Sequence, residues 1–285
     1  MAGAASTPKR HHYVPILLLK NFCAQDGQLH VFNKKTGDIH RATPENAFLQ
    51  NHLYSYTMAS GDKNPALEIA YSKLEDHTAP IVRKIIHAIS SEKYPKLSPD
   101  ERRIWDHFFV HQYKRTPEIH APFFTDENWS RHIEAVIPKI AEKHGMSEEQ
   151  VAAKFDDPKA MKRVLEKARI HALSRSSEVV EPALGKVGIN IIVIAKPHKS
   201  FVIGSVPILR LDGPSTTILK NTQAEVWLPI AHNIAIGPSW NKTGENVFWL
   251  EDGDAIRRAN QQIFRQSNIV ASRSVELLAS LAAPK

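Results

Sequence analysis

Cysteine is nearly absent from this chain of 285 residues, which contains only Cys23. A single cysteine excludes a disulfide within the chain, and neither a CxxC pair nor a cysteine–histidine zinc spacing occurs. Long apolar runs are also missing. The opening MAGAASTPKR lacks the apolar core of a signal peptide, and no window approaches the ~20 apolar residues of a membrane span. We therefore expect a cytoplasmic protein with no membrane partner.

Internal repeats, low-complexity tracts and a Gly/Ser-rich linker near residue 185 are absent as well. The hydrophobic fraction of 42% and the charged fraction of 24% are typical of a globular protein. We expect a disordered tail over residues 1–7 and a single domain over residues 8–281. Within that domain, a helical part of about 8–184 precedes a sheet part of about 185–281.

Helical periodicity dominates the first two thirds of the chain. The most regular pattern of apolar residues runs over about 65–89. A capping box of Ser98 and Glu101, with Pro99 in the first turn, predicts the start of the next helix. Further helices are predicted over about 15–24, 126–144 and 147–182, the last of them broken at Asp157-Pro158.

Strand patterns occur in two places. Near the N-terminus, LHVFNKKTGDIH predicts a hairpin in which Gly37 supplies a positive φ at the turn. From Gly188 onward, INIIVIAKP, SFVIGSVPILRL and AEVWLPIAHNIAIGP are β-branched runs bounded by Pro, Gly or Asn, which is typical of sheet strands. We therefore expect an α+β fold: helical N-terminal two thirds with a small β-hairpin, followed by a mostly antiparallel C-terminal sheet with flanking helices.

Positive charge is in excess, with a formal net charge of +7. Part of the excess lies in the predicted helix that follows Pro158, where Lys159, Arg163 and Lys167 recur every four residues and share one face. Two interpretations stay open for this face. It is either an ordinary solvated surface or a surface that follows the phosphates of a nucleic acid.

The stretch PKRHHYVP places two adjacent histidines, His11 and His12, beside Lys9 and Arg10. Pro15 favours a first helical turn, whose free N–H groups and dipole would favour a neutral imidazole and attract an anion. A neutral imidazole is what a general base or a metal ligand requires. Adjacent residues do not face one point, so we expect one ring in a site and the other orienting it or facing elsewhere.

Polar residues also occur among the apolar positions of two helices. Glu68 and Glu75 lie seven residues apart on one line of the helix predicted over about 65–89, and Glu75 lies at the margin of its apolar stripe. Gln112 and Arg115 share a face of the next helix with apolar residues. A guanidinium on a buried face requires an anion, either a carboxylate such as Glu75 or a ligand phosphate. A structural bridge between neighbouring helices is the alternative.

The opening HHYVPILLLKNF resembles the hallmark of domain-of-unknown-function family 4238, which is found widely in bacterial proteins. LHVFNKKTG is similar to the family's hairpin, ENAFLQNHLYS to its next region and LEIAYSKLED to its Glu-bearing helix. FFVHQYKRTPE resembles its glutamine–arginine–threonine–proline region through Gln112, Arg115, Thr116 and Pro117. The likeness covers nearly the whole chain and implies the family's fold and polar site.

One departure from the family pattern falls in the C-terminal sheet. The resemblance implies an Asp-Asn-Pro element, whereas this chain has Gly204, Ser205, Val206 and Pro207. If that aspartate is catalytic in relatives, this chain binds without turnover or Ser205 acts differently. The opening also resembles that of His-Me finger nucleases, although here a helix comes before the hairpin.

Two functions are expected from these features. The first is a phosphodiester hydrolase of nuclease type, in a defence or toxin setting, with His11 or His12 as base, Glu75 as orienting or metal-binding carboxylate and Arg115 as clamp. The second is a non-catalytic binding module for a small anionic ligand, a nucleic acid or a protein partner. A divalent metal is compatible with the first, but the sequence assigns it no ligands. The candidate catalytic residues are His11, His12, Glu68, Glu75, Gln112 and Arg115. The candidate ligand-binding residues are Lys9, Arg10, Tyr13 and Ser205.

Overall fold

Helices dominate the chain up to residue 184 and strands dominate after it, in an α+β fold, as predicted. The computed structural model describes residues 9–212, 225–240 and 242–283, and the tail predicted at residues 1–7 lies outside them. The helices of the described ranges are α1 Ile16–Leu19, α2 Ala66–Ser90, α3 Pro99–Lys114, α4 Pro117–His120, α5 Asp126–His144, α6 Glu148–Phe155, α7 Pro158–Ser174, α8 Val180–Leu184, α9 Gly253–Gln266 and α10 Val275–Ala282.

The strands include several of only two or three residues. They are β1 Arg10–His12, β2 Leu29–Asn33, β3 Ile39–Ala42, β4 Leu49–Asn51, β5 Tyr56–Thr57, β6 Lys63–Asn64, β7 Gly188–Ile194, β8 Ile203–Gly204, β9 Leu209–Leu211, β10 Glu225–Ala231, β11 Ile234–Ser239, β12 Glu245–Leu250 and β13 Ile269–Ser272. Short 3₁₀ helices cover Lys20–Phe22, Pro44–Asn46 and Ala121–Phe124.

The chain divides into two compact units, each assembled from separate segments. Unit 1 contains Met1–His11, Gln50–Tyr71 and Ile119–Arg175, and unit 2 contains His12–Leu49, Ser72–Glu118 and Ser176–Lys285. The long helix α2 passes from unit 1 to unit 2. The single domain expected over residues 8–281 stays a prediction.

Unit 1 is built mainly from helices α5 to α7. Helix α5 packs on α6, α6 packs on α7, and α7 packs on strand β5. Polar caps set the helix starts: Ser147 forms a capping box at α6, and the side chain of Asp157 accepts a hydrogen bond from the first turn of α7. The predicted break at Asp157-Pro158 is therefore confirmed.

Unit 2 contains two larger sheets. The five-stranded sheet has the order β12-β7-β11-β10-β9 and is antiparallel except for the parallel pair β12–β7. The four-stranded sheet, β3-β2-β13-β8, is antiparallel throughout. The mostly antiparallel C-terminal sheet is confirmed. The predicted hairpin β2–β3 is also present, and β13 pairs with its first strand.

Local sequence signals explain several of these elements. Ser98 and Glu101 form the predicted capping box at α3, with Pro99 in the first turn. Gly37 has φ 76° at the hairpin turn, as its position predicted. The run SFVIGSVPILRL forms two short strands in different sheets instead of one, because Pro207 between them cannot donate a ladder hydrogen bond.

The first predicted helix is shorter than expected: α1 covers one turn and is followed by a 3₁₀ turn that ends at Phe22. Strand β12 and helix α10 were not predicted. Within the described ranges, no helix has both the length and the apolar character needed to cross a bilayer.

Candidate functional site

The histidine doublet lies in a strand. His11 and His12 belong to β1, which pairs with β4, and helix α1 begins only at Ile16. Helix α1 does begin directly after Pro15, as expected, and the doublet precedes it in a strand that was not predicted; the helix-dipole argument for neutral rings stays a prediction. Successive side chains of a strand point to opposite faces, so the two rings have separate surroundings.

His11 is buried in unit 1, with 0% of its surface exposed. Its Nδ1 accepts a hydrogen bond from the backbone N–H of Tyr54 at 2.9 Å, and its ring stacks on the Tyr54 ring. The same nitrogen lies 3.7 Å from Oε2 of Glu68, and the His52 ring packs edge-on against the imidazole. Because Nδ1 is an acceptor, the proton of a neutral ring is on Nε2. His11 thus fixes the position of Tyr54, in the loop that follows β4, through a hydrogen bond and ring stacking.

His12 and its basic neighbours lie nearer the solvent. The His12 ring is half-buried in unit 2, with Nε2 3.2 Å from the carbonyl oxygen of Glu45. Lys9 and Arg10 are exposed in unit 1, where the carbonyl of Lys9 accepts a hydrogen bond from the backbone of His52. In this region, two exposed cations flank one buried and one half-buried imidazole.

Four residues of unit 2, of which Glu75 is half-buried and the other three are buried, form a polar cluster, here called the Tyr13 brace: Tyr13, Glu75, Gln112 and Arg115. The carbonyl oxygen of Tyr13 accepts hydrogen bonds from Gln112 Nε2 at 2.9 Å and from Arg115 Nε at 3.2 Å. Arg115 Nη1 donates to Glu75 Oε1 at 2.7 Å. Arg115 is only 2% exposed, so its charge needs the neighbouring carboxylate. Through the carbonyl oxygen of Tyr13, side chains from the end of α3 hold the backbone between β1 and α1, and Glu75 of α2 holds Arg115 in place.

Ser205 is buried on the four-stranded sheet, where its Oγ donates a hydrogen bond to Glu118. The same oxygen accepts from the backbone N–H groups of Asn268 at 3.0 Å and Ile269 at 3.3 Å. With these three hydrogen bonds, Ser205 acts as a structural group.

The phenol of Tyr13 also lies near Glu118. Burial and the Glu118 charge both raise the pKa of this phenol, so it stays protonated.

The structure groups the predicted site residues as follows. His11 and Glu68 meet in unit 1, and Tyr13, Glu75, Gln112 and Arg115 meet in unit 2. His12 contacts a backbone carbonyl, Ser205 contacts Glu118, and Lys9 and Arg10 are exposed. Convergence of all these residues on one pocket stays a prediction.

Helix α7 of unit 1 presents an exposed set of cations, here called the basic row: Lys159, Lys162, Arg163 and Lys167. None of the four forms an ion pair with a described residue. Glu166 is the only acidic residue of this helix, and both of its oxygens are engaged elsewhere. It accepts hydrogen bonds from the backbone and hydroxyl of Thr57 at 2.7 Å and from Lys63 Nζ at 3.1 Å. The basic row is therefore not neutralised along its own helix.

A further cluster in unit 2 was not found from the sequence. His107 and His111 lie one turn apart on α3, with ring centroids 4.3 Å apart, and Glu181 of α8 lies beside them. One ligand atom from each residue lies within 4.8 Å of the others, which makes this cluster a candidate metal site. The signal in the sequence was the i, i+4 histidine pair, but its third member is far along the chain. Glu118, the partner of Ser205, was missed for the same reason.

A family model described as protein of unknown function (DUF4238) matches residues 10–264. The chain belongs to the DUF4238 family. No curated protein and no solved structure matches it. In this DUF4238 chain, the motif residues that carry the resemblance are the ones that form the Tyr13 brace and the surroundings of His11.

Serine at position 205, where the sequence resemblance led us to expect an Asp-Asn-Pro element, suits its surroundings in this DUF4238 chain. An aspartate in place of Ser205 would put a second carboxylate against Glu118. Two carboxylates in contact repel each other unless one is protonated. A serine hydroxyl donates to the same glutamate without adding charge, so serine fits beside Glu118.

Proposed function

We propose that this chain is a non-catalytic module that binds nucleic acid through the basic row of helix α7. The observation that carries the proposal is the exposure of four cations on one helix, none of them in an ion pair with a described residue. Unpaired surface cations attract polyanions, because phosphate contacts release condensed counterions. The net charge of +7 acts in the same direction.

The dimensions of the basic row also suit a phosphate backbone. From Lys159 to Lys167 the helix rises ~12 Å at ~1.5 Å per residue. Over this length a DNA duplex presents about three or four phosphates on each strand. The three cations at four-residue spacing, Lys159, Arg163 and Lys167, thus match the number of phosphates in reach. Such contacts position a nucleic acid without reading its sequence.

The hydrolase hypothesis receives less support from the same structure. A general base must reach a proton on the substrate, but His11 is 0% exposed and its Nδ1 already accepts a hydrogen bond. Arg115 is paired with Glu75, and the Gln112 amide donates to the Tyr13 backbone. These groups brace the fold. The motif residues thus support a structural scaffold, and we further propose that the protein acts in the cytoplasm.

The test compares two triple variants that remove the same amount of charge. Lys159→Gln/Arg163→Gln/Lys167→Gln removes three cations from the basic row. Lys73→Gln/Arg83→Gln/Lys93→Gln removes three exposed cations elsewhere. Affinity for a short fluorescent DNA duplex and for a single-stranded RNA is measured by anisotropy, and a gel shows whether either nucleic acid is cut.

We expect the basic-row variant to bind roughly 100-fold more weakly at ~0.1 M salt, because three phosphate contacts are lost. The control variant should stay within about ten-fold of the original chain, since it changes only the overall charge. Equal affinity in all three proteins would reject the basic row as the binding surface. Cleavage that depends on His12 would favour the hydrolase instead.

A further inference from the structure

We infer that His107, His111 and Glu181 form a binding site for one transition-metal dication such as Zn²⁺. This inference is independent of the proposed nucleic-acid binding, since the cluster lies on α3 and α8 and the basic row lies on α7. It rests on the convergence of two imidazoles and one carboxylate, a ligand set that suits zinc and neighbouring transition metals.

The two histidines are positioned by one regular helix. Residues four apart on a helix lie on the same face, so α3 brings the two rings together without help from a loop. The third ligand comes from α8, which packs on α3. His107 Nδ1 lies 3.0 Å from Glu181 Oε2, and the possible ligand atoms of all three residues lie within 4.8 Å of one another. Zinc ligands in a tetrahedral site lie ~3.3 Å apart, so small side-chain rotations would close the site.

The carboxylate is already oriented by its other oxygen. Glu181 Oε1 accepts a hydrogen bond from the backbone N–H of Ser177 at 3.1 Å, which leaves Oε2 directed at His107. Hydrogen bonds of this kind fix metal ligands and raise affinity.

The histidines are also suited to bind a cation. The His111 ring is buried, with 4% of its surface exposed, and its centroid lies 4.3 Å from that of the His107 ring. The side chain of His107 is 38% exposed, which leaves the cluster accessible to an ion and to a water ligand.

The residue directly after the first histidine argues against peptidase chemistry. In the zinc-peptidase pattern H-E-x-x-H, a glutamate follows the first histidine and serves as general base. Here that position is Phe108, which is buried in the core. The cluster therefore lacks the peptidase glutamate, and we expect a bound metal to join α8 to α3.

The experiment measures metal binding to the full-length chain. The protein is stripped with a chelator, and Zn²⁺ is titrated in competition with a chromophoric chelator. Co²⁺ is then used as a spectroscopic probe of the coordination geometry. The variants are His107→Gln and Glu181→Gln, both at partly exposed positions. The control is His87→Gln, which removes an exposed histidine of α2 outside the cluster. Circular dichroism shows that each variant is folded.

We expect one equivalent of Zn²⁺ in the original chain and in His87→Gln, with a Zn²⁺-dependent rise in melting temperature. Both cluster variants should bind at least ~10-fold more weakly and lose that rise. Two results would overturn the inference: no stoichiometric Zn²⁺ binding by the original chain, or equal binding by His107→Gln and Glu181→Gln. Nucleic-acid affinity is measured on the same proteins. A chain that does not bind Zn²⁺ can still bind nucleic acid through the basic row, and the reverse also holds, so the two proposals are tested separately.

Discussion

Arg115 Nη1 lies 2.7 Å from Glu75 Oε1, so a buried guanidinium at the C-terminal cap of α3 is paired with a carboxylate on α2. The same arginine donates through Nε to the carbonyl oxygen of Tyr13. One side chain therefore connects two helices to the strand-to-helix segment that carries the family motif. This connection is structural, and its contribution to the free energy of unfolding can be measured by replacing Arg115.

Replacing Arg115 by alanine should destabilise the protein strongly. The change leaves the half-buried carboxylate of Glu75 without its cation and removes one donor from the Tyr13 carbonyl, so we expect a loss of about 2–4 kcal/mol of unfolding free energy. Urea unfolding followed by circular dichroism measures the loss. Arg103→Ala is the matched control on the same helix, because Arg103 pairs with Asp100 at a site where its side chain is 74% exposed. That control should cost less than about 1 kcal/mol. Similar losses in the two variants would contradict the brace.

Ser205→Asp should be far more damaging than Ser205→Ala. The aspartate would bury a carboxylate against Glu118, at a cost of about 3 kcal/mol or more, whereas alanine removes hydrogen bonds worth about 1–3 kcal/mol. Adding Glu118→Gln to Ser205→Asp should restore part of the lost stability. Thermal melts of the three variants at neutral pH test this expectation. If Ser205→Asp melted at the original temperature, the charge argument for serine at this position would be wrong.

Acidification should destabilise the protein through His120 of unit 1. Burial, and secondarily the charge of Arg169, lowers the pKa of His120 from 6.5 to about 4. Between these values the unfolded chain binds a proton that the folded chain does not, so the free energy of unfolding falls as pH falls from 6.5 to 4. The loss from this group amounts to roughly 3 kcal/mol across that interval.

His120→Gln should flatten that dependence, because glutamine does not titrate. The difference between the original chain and the variant, measured by urea unfolding across this pH interval, isolates the contribution of His120. His87→Gln, which replaces an exposed histidine of α2, serves as the control. Identical curves for the original chain and His120→Gln would show that burial does not shift this histidine.

Local signals in the sequence predicted much of the fold. The capping box at Ser98, the glycine turn at Gly37 and the break before Pro158 act within a few residues, and all three are present. Strand β12 was missed because it pairs in parallel with β7, more than fifty residues earlier. The strand at His11 was missed because it is only three residues long and carries no alternating apolar pattern. Its pairing partner, β4, is distant in sequence.

The candidate sites were predictable where helix periodicity places the side chains. The paired Glu75 and Arg115 were foreseen because each interrupts an apolar helical face and each requires an opposite charge. Glu118 beside Ser205 and Glu181 beside His107 could not be foreseen in this way. Each contact joins residues separated by more than seventy positions, and periodicity carries no information about which distant elements pack together.

The salt dependence of nucleic-acid binding tests the central claim most directly. The logarithm of the association constant for a DNA duplex is plotted against the logarithm of salt concentration for the original chain, the basic-row triple variant and the control triple variant. Each phosphate contact contributes about 0.9 to the slope, so loss of Lys159, Arg163 and Lys167 should reduce its magnitude by about 2.7. The control should run parallel to the original chain. Parallel lines for the original chain and the basic-row variant would contradict the account.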